Sequence, residues 1–249
     1  MRIVVKVGTT TLAHSTGNLN IRRVTELCRV LSDLKNAGND VILVASGAIG
    51  MGVGKLGLPG RPADMPGKQA CAAVGQCELM YTYDKLFSEY HHTVAQLLIT
   101  GDDVANHTRH ENFRNTLNRL LELEAIPIIN ENDTIATEEI KVGDNDTLSA
   151  LVAVSVKAEL LIILSDVDGF FTGNPATDKN ATLIPLVERI TPEIEALAGG
   201  AGTERGTGGM RAKLQAARIA GAAGVPMVIA NGKSPDILYD ICAGRSVGT

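Results

Sequence analysis

The chain has 249 residues, 45% of them hydrophobic and 20% charged, with 26 Gly and 9 Pro. Such proportions exclude a disordered, collagen-like or disulfide-scaffold chain, and the length predicts one or two domains whose core buries roughly 70–75% of the unfolded surface. A formal net charge of −5, no Trp and 3% aromatics exclude the basic face and the stacking platforms that nucleic-acid binding needs.

Residues 3–7 form a β-branched run that stops at Gly8. It is too short for a signal peptide, and no run approaches the ~18 apolar residues of a membrane span. A cytoplasmic protein with no membrane partner is expected. Ile21, Val24, Leu27, Val30, Leu31 and Leu34 recur at helical spacing, and Gly38 closes that helix. Residues 41–45 predict a second strand, 47–56 and 67–90 helices, and 93–99 a third strand. A polar helix is expected over 112–123, a fourth strand over 126–129 and a small hairpin over 134–142. An apolar helix follows residue 146, a fifth strand covers 160–164, a helix 214–223 and a sixth strand 225–229. Strands alternating with helices predict βαβ units, a mostly parallel sheet and helices on both faces. Cys28, Cys71, Cys77 and Cys242 have neither CxxC nor zinc spacing and predict buried reduced thiols.

Three motif matches fail on context. Gly52-Val53-Gly54-Lys55-Leu56-Gly57 fits G-x-G-x-x-G but lies inside helical sequence, past the strand–helix turn that a dinucleotide needs. Gly232-Lys233-Ser234 looks like the end of a P-loop, yet the required upstream glycine position holds Met227. His107-x-x-His110 reads as a solvated helix face rather than a metal pair.

In parallel α/β sheets ligands sit beyond the carboxyl ends of the strands, and the polar clusters fall there. Gly8-Thr9-Thr10 follows the first strand, Ser46-Gly47-Ala48 the second, Asn130-Glu131-Asn132-Asp133 the fourth and Ser165-Asp166 the fifth. Lys6 is a cation at the end of an apolar strand. Gly8 and Gly47 let backbone N–H groups approach an anion, and the helix after Gly47 favours negative charge. Thr207-Gly208-Gly209-Met210-Arg211-Ala212-Lys213 is a second glycine-rich turn opening a helix. A lysine in a helix's first turns opposes the dipole, so Lys213 suggests an anionic ligand. Gly143-Asp144-Asn145-Asp146 places two carboxylates and an amide before a helix, and Asp133 adds a third carboxylate. Beside phosphate these groups fit Mg²⁺, lysine orientation or a substrate ammonium. The set suggests phosphoryl transfer without a Walker motif. No His stands near these motifs, which suits a carboxylate acceptor, already ionised at neutral pH.

These residues resemble the amino acid kinase family along the whole chain. The resemblance is carried by Val5-Lys6-Val7-Gly8-Thr9, Ser46-Gly47-Ala48-Ile49, the NEND segment, Ile140-Lys141-Val142-Gly143-Asp144-Asn145-Asp146, Ser165-Asp166-Val167-Asp168-Gly169 and Gly206-Thr207-Gly208-Gly209-Met210. It implies a three-layer αβα sandwich and a single kinase domain over residues 1–249, its N-terminal part binding the amino acid and its C-terminal part ATP. The implied reaction phosphorylates the γ-carboxylate of L-glutamate with ATP and Mg²⁺, the first step of proline synthesis. Lys6 and Lys213 then resemble the lysines that neutralise the transferring phosphoryl group, Gly8 and Gly47 its backbone donors, and Asp146 the carboxylate that orients both lysines. Ser46, Asp133 and Asn145 resemble glutamate-binding residues. Lys6, Ser165, Asp166, Thr207, Gly208, Gly209, Met210, Arg211, Ala212 and Lys213 resemble the nucleotide site; no protein metal ligand is implied. A homo-oligomer inhibited by proline is expected. Many family members carry a further RNA-modification-type (PUA) domain; this chain stops at Gly248-Thr249, so the kinase domain alone is expected. Acylamino-acid kinases are the near alternative. Asp133 argues against them, because an acetylated amine would leave that carboxylate unpaired. A non-catalytic nucleotide sensor would need neither two lysines nor the carboxylates.

Overall fold

The computed structural model describes residues 1–14, 19–136, 145–198 and 209–249. In chain order its elements are β1 (Arg2–Val7), α1 (Thr9–Leu12), α2 (Ile21–Asn36), β2 (Asp40–Ala45), α3 (Ala48–Lys55), α4 (Met65–Ser88), β3 (Val94–Ile99) and α5 (Gly101–Ala105). There follow α6 (His107–Glu122), β4 (Ile126–Glu131), α7 (Asn145–Ser155), β5 (Leu160–Ser165), α8 (Pro192–Leu197), α9 (Met210–Ala222), β6 (Met227–Asn231) and α10 (Ile237–Cys242). Among the described residues the strands form one sheet in the order β3-β4-β2-β1-β5-β6, every neighbouring pair parallel. Helices cover both faces, as the strand–helix alternation predicts. The expected hairpin falls largely on 137–142, outside the described residues.

Side-chain alternation along the strands sorts the core into two layers. Ile3, Val5 and Val7 of β1 join Leu43 and Ile128 against α2, α4 and α10. Val4 joins Ile42, Val44, Ile129 and Ile163 against α6, α7 and α9. By the same period of two, Lys6 shares the face of Val4 and points toward α7 and α9. Asn130 shares the face of Ile128 and points toward α4.

Several boundaries move from their sequence-based positions for identifiable reasons. β4 runs on through Asn130 and Glu131, because Leu98 and Ile99 of β3 pair with them and complete their ladder bonds. The sixth strand starts at Met227 rather than at 225, since Pro226 has no N–H to donate and Val225 instead closes α9 by bonding Ala220 O. Helix α6 starts at His107, five residues early, because the Asn106 side chain accepts from Arg109 N at 3.0 Å and caps it. His110 is therefore no solvated side chain. Its ring Nε2 lies 2.7 Å from Ser155 Oγ, and because Ser155 donates to Leu151 O, the imidazole is the donor. Of the cysteines, all free, Cys28 and Cys71 are buried as expected, while Cys242 is half-buried and Cys77 exposed. Burial, then the nearby Glu89 charge, pushes the Cys28 thiol up.

Gly52, one glycine of the failed dinucleotide motif, has a packing explanation. A Cβ on Gly52 of α3 would lie 1.9 Å from Cys71 O of α4, and one on Gly75 of α4 would lie 1.7 Å from Ala48 O of α3. The two helices touch backbone to backbone. Gly232 is likewise closed in, its hypothetical Cβ 2.6 Å from Thr11 Cγ2. We expect Gly75→Ala to force α3 and α4 apart and to lower stability by about 1–3 kcal/mol. A urea titration followed by circular dichroism measures this, and an unchanged midpoint would contradict the contact.

Candidate active site

Five strand ends meet along the carboxyl edge of the sheet. From β1 comes Lys6, from the turn after β2 Ser46 and Gly47, from β4 Asn130, from β5 Ser165 and from β6 Asn231. Gly47 caps α3 with φ 109°, a left-handed conformation that disfavours any side chain. A Cβ there would stand 3.5 Å from the Thr9 side chain. The turns after β1 and β2 are thus in contact, with Gly8 capping α1 in one and Gly47 capping α3 in the other.

Two side-chain clusters occupy this edge. The first is ionic. Asp146, in the first turn of α7, is wholly buried. Its Oδ1 is 2.6 Å from Lys6 Nζ and its Oδ2 3.0 Å from Lys213 Nζ. Lys6 is 8% exposed and Lys213 6%. One carboxylate thus fixes two buried ammonium groups, one from a strand and one from a helix. Small residues bring α7 and α9 close enough for this: Ala150 and Ala153 pack in the same core as Ala216 and Ala220.

The second cluster is made of amides. Asn145 Nδ2 lies 2.8 Å from Ala45 O, 2.7 Å from Ser46 Oγ and 2.9 Å from Asn130 Oδ1. Asn130 Oδ1 also accepts from Glu131 N, and Asn130 Nδ2 donates to Gln76 Oε1 of α4, both at 2.9 Å. Ser46 accepts here, so its own hydroxyl hydrogen is left to donate. Asn145 and Asp146 are consecutive, so the start of α7 joins the amide cluster to the ion triplet.

The other expected site residues are placed as follows. Asp133 is half-buried in the turn after β4. Ser165 is the last residue of β5, buried, and donates to the exposed Asp166 Oδ1 at 3.2 Å. Gly209 caps α9. Met210 packs with Phe170 and Leu214, Arg211 is exposed and Ala212 half-buried. Thr207 and Gly208 lie outside the described residues, as does Asp144. Among the described residues no group of three or more His, Cys, Asp or Glu is placed to hold a metal ion. No helix among them is long and apolar enough to cross a membrane.

Sequence reasoning assigned no role to Asn130 or Gln76. Asn130 was visible only as part of a polar strand end. Gln76 had a usable signal: it interrupts the buried stripe Ala72, Gly75, Leu79, Tyr83 and Phe87 of α4 at helical spacing.

The all-parallel sheet has a family counterpart. The chain belongs to the amino acid kinase family, whose model matches residues 1–231. It is 54% identical to "Glutamate 5-kinase" of Moorella thermoacetica, over 100% of this chain and 66% of that protein. It is 53% identical to "Glutamate 5-kinase" of Clostridium tetani, over 99% of this chain and 92% of that protein. The fold is shared with T. acidophilum isopentenyl phosphate kinase at a TM-score of 0.66 and 16% identity, covering 100% and 99% of the two chains. UMP kinase from Bacillus anthracis matches at a TM-score of 0.63 and 17% identity, covering 100% and 94%.

Truncating the shared carboxylate would leave two ammonium groups in a buried setting. Asp146→Ala is expected to cost about 3–5 kcal/mol of folding stability, the usual penalty for breaking a buried ion pair from one side. Chemical denaturation measures it; a loss under 1 kcal/mol would mean that water reaches the lysines freely.

Proposed function

We propose that this chain transfers the γ-phosphoryl group of ATP to the γ-carboxylate of L-glutamate, giving L-glutamyl 5-phosphate for proline synthesis. The observation that carries this reading is the Lys6–Asp146–Lys213 triplet standing beside the Asn130–Asn145–Ser46 cluster. The names of the relatives above 50% identity supply the substrate.

A γ-carboxylate has an unperturbed pKa near ~4.3, so the nucleophile is an anion and no base has to remove a proton. None of the chain's five histidines belongs to either cluster. The obstacle is repulsion between that anion and the nucleotide phosphates. A γ-carboxylate oxygen bonds to the γ-phosphorus while the bond from that phosphorus to the bridging oxygen breaks, and ADP leaves. Charge gathers on the oxygens in flight. Lys6 and Lys213 meet that charge in a pre-set position, because Asp146 holds both ammonium groups before substrate arrives. Gly8 and Gly47 add backbone N–H groups. Mg²⁺ enters as part of the nucleotide substrate.

The amino acid is assigned to the β2–β4 side, with Ser46, Asn145 and Asp133, and the nucleotide to the β5–β6 side, with Ser165, Asp166 and the segment 207–213. The whole chain is then one kinase domain, acting in the cytoplasm where its nucleotide is supplied. The same reading carries a homo-oligomeric state and inhibition by proline, which light scattering and a proline titration check.

ADP release should depend on L-glutamate, and hydroxylamine should trap the acyl phosphate; release with no glutamate dependence would sink the proposal. Lys6→Ala and Lys213→Ala should each lower kcat by ~10²–10³ with a much smaller change in the glutamate KM. Asp133→Ala and Asn145→Ala should instead raise the glutamate KM and leave the ATP KM near its original value. Steady-state kinetics with each substrate varied in turn separates these patterns.

A further inference from the structure

Gln76 lies outside every residue assigned above, yet its amide is more than nine-tenths buried, at 7% exposure. Its position is set by backbone contact. Gly75 presses α4 onto Ala48 O at the start of α3, so the next residue reaches the strand ends beside the Ser46-Gly47 turn. Gln76 Oε1 accepts from Asn130 Nδ2 at 2.9 Å. Its Nε2 is buried and has no hydrogen-bond partner among the described residues.

Which amide atom faces which way follows from the backbone. Glu131 N–H can only donate, so the atom of Asn130 that meets it is Oδ1. Asn130 Nδ2 therefore faces Gln76, and the atom of Gln76 that accepts is Oε1. The NH₂ group of Gln76 is left over by necessity, not by an arbitrary choice of rotamer. A buried donor without an acceptor carries a desolvation penalty that a bound acceptor relieves. Ser46 contributes a second spare hydrogen nearby, through the chain Gln76–Asn130–Asn145–Ser46.

We infer that Gln76 is a substrate-binding residue whose Nε2 donates to a carboxylate oxygen of the amino-acid substrate, while its Oε1 holds Asn130 in place. The inference rests on the proposed function and assigns it a further specificity determinant. Two donors spaced along one amide chain suit the paired oxygens of a carboxylate. A phosphate would instead sit on the lysine side, toward α9.

The two halves of the amide are separable. Gln76→Glu keeps an oxygen to accept from Asn130 but replaces the donor with a negative charge. Gln76→Leu removes both. The expected result is a glutamate KM raised about 10- to 100-fold in both variants, with Gln76→Glu at least as impaired as Gln76→Leu. The ATP KM and the kcat of Gln76→Glu should stay within about threefold, even though the newly buried carboxylate lowers its melting temperature. A Gln76→Glu enzyme with an unaltered glutamate KM would reduce Gln76 to a support for Asn130 and overturn the inference, as would an equal rise in both KM values. The side-chain ¹H–¹⁵N signals of Gln76 in the unsubstituted protein give the same test without a variant. Added glutamate must shift them, and signals that stay in place overturn the inference. If the unsubstituted chain releases no ADP with glutamate, the functional reading falls and this inference with it. Normal release with an unchanged glutamate KM in Gln76→Glu removes the inference alone.

Discussion

The shared carboxylate of Asp146 is the constraint around which the edge of the sheet is arranged. Burying one carboxylate and two ammonium groups carries a desolvation cost that attraction offsets only when the geometry is tight. Tight geometry requires rigid supports. Lys6 is held by a strand paired on both sides, to β2 and to β5. Asp146 and Lys213 are held by two helices packed through small side chains over the same face of the sheet. A flexible loop at any of the three positions would trade that precision for entropy.

The amide cluster depends on the ion triplet through chain continuity, and on α4 through packing. Asn145 precedes Asp146 directly, so anchoring the carboxylate also aims the amide at Ala45 O and Ser46 Oγ. From the other side, the glycine contacts between α3 and α4 bring Gln76 within reach of Asn130. The network is asymmetric in chemistry. It has fixed positive charge toward α9 and neutral hydrogen-bond donors toward α4. Such a division suits two anionic partners of different shape, one a phosphate chain and the other a carboxylate.

Much of the fold was legible because it follows from short-range rules. The β-branched run of β1 and the apolar stripe of α2 carry their periods in a few residues, and Gly47 marks a turn where only glycine is comfortable. Misreadings came where a contact distant in sequence overrode local composition. Asn130 and Glu131 look like a loop but complete ladder bonds with β3. His110 looks solvated but donates to Ser155 of α7. The motif at Gly52 was rightly rejected on its helical context, and the contact that occupies its place is the backbone of α4.

The sequence by itself determined the layer architecture, the parallel sheet and the rim on which polar residues gather, because side-chain period, glycine placement and strand-end chemistry are local properties. It also held the family resemblance, carried by segments that keep their residue order. The resemblance set Asp146 between Lys6 and Lys213, but only the tertiary structure decided how closely the three meet and that they meet out of water. It alone placed Gln76 against Asn130, with a donor left over. The physical reason is range. A hydrogen bond or ion pair acts over about 3 Å, whereas the residues it joins here lie on separate elements brought together by core packing. No spacing along the chain encodes that approach.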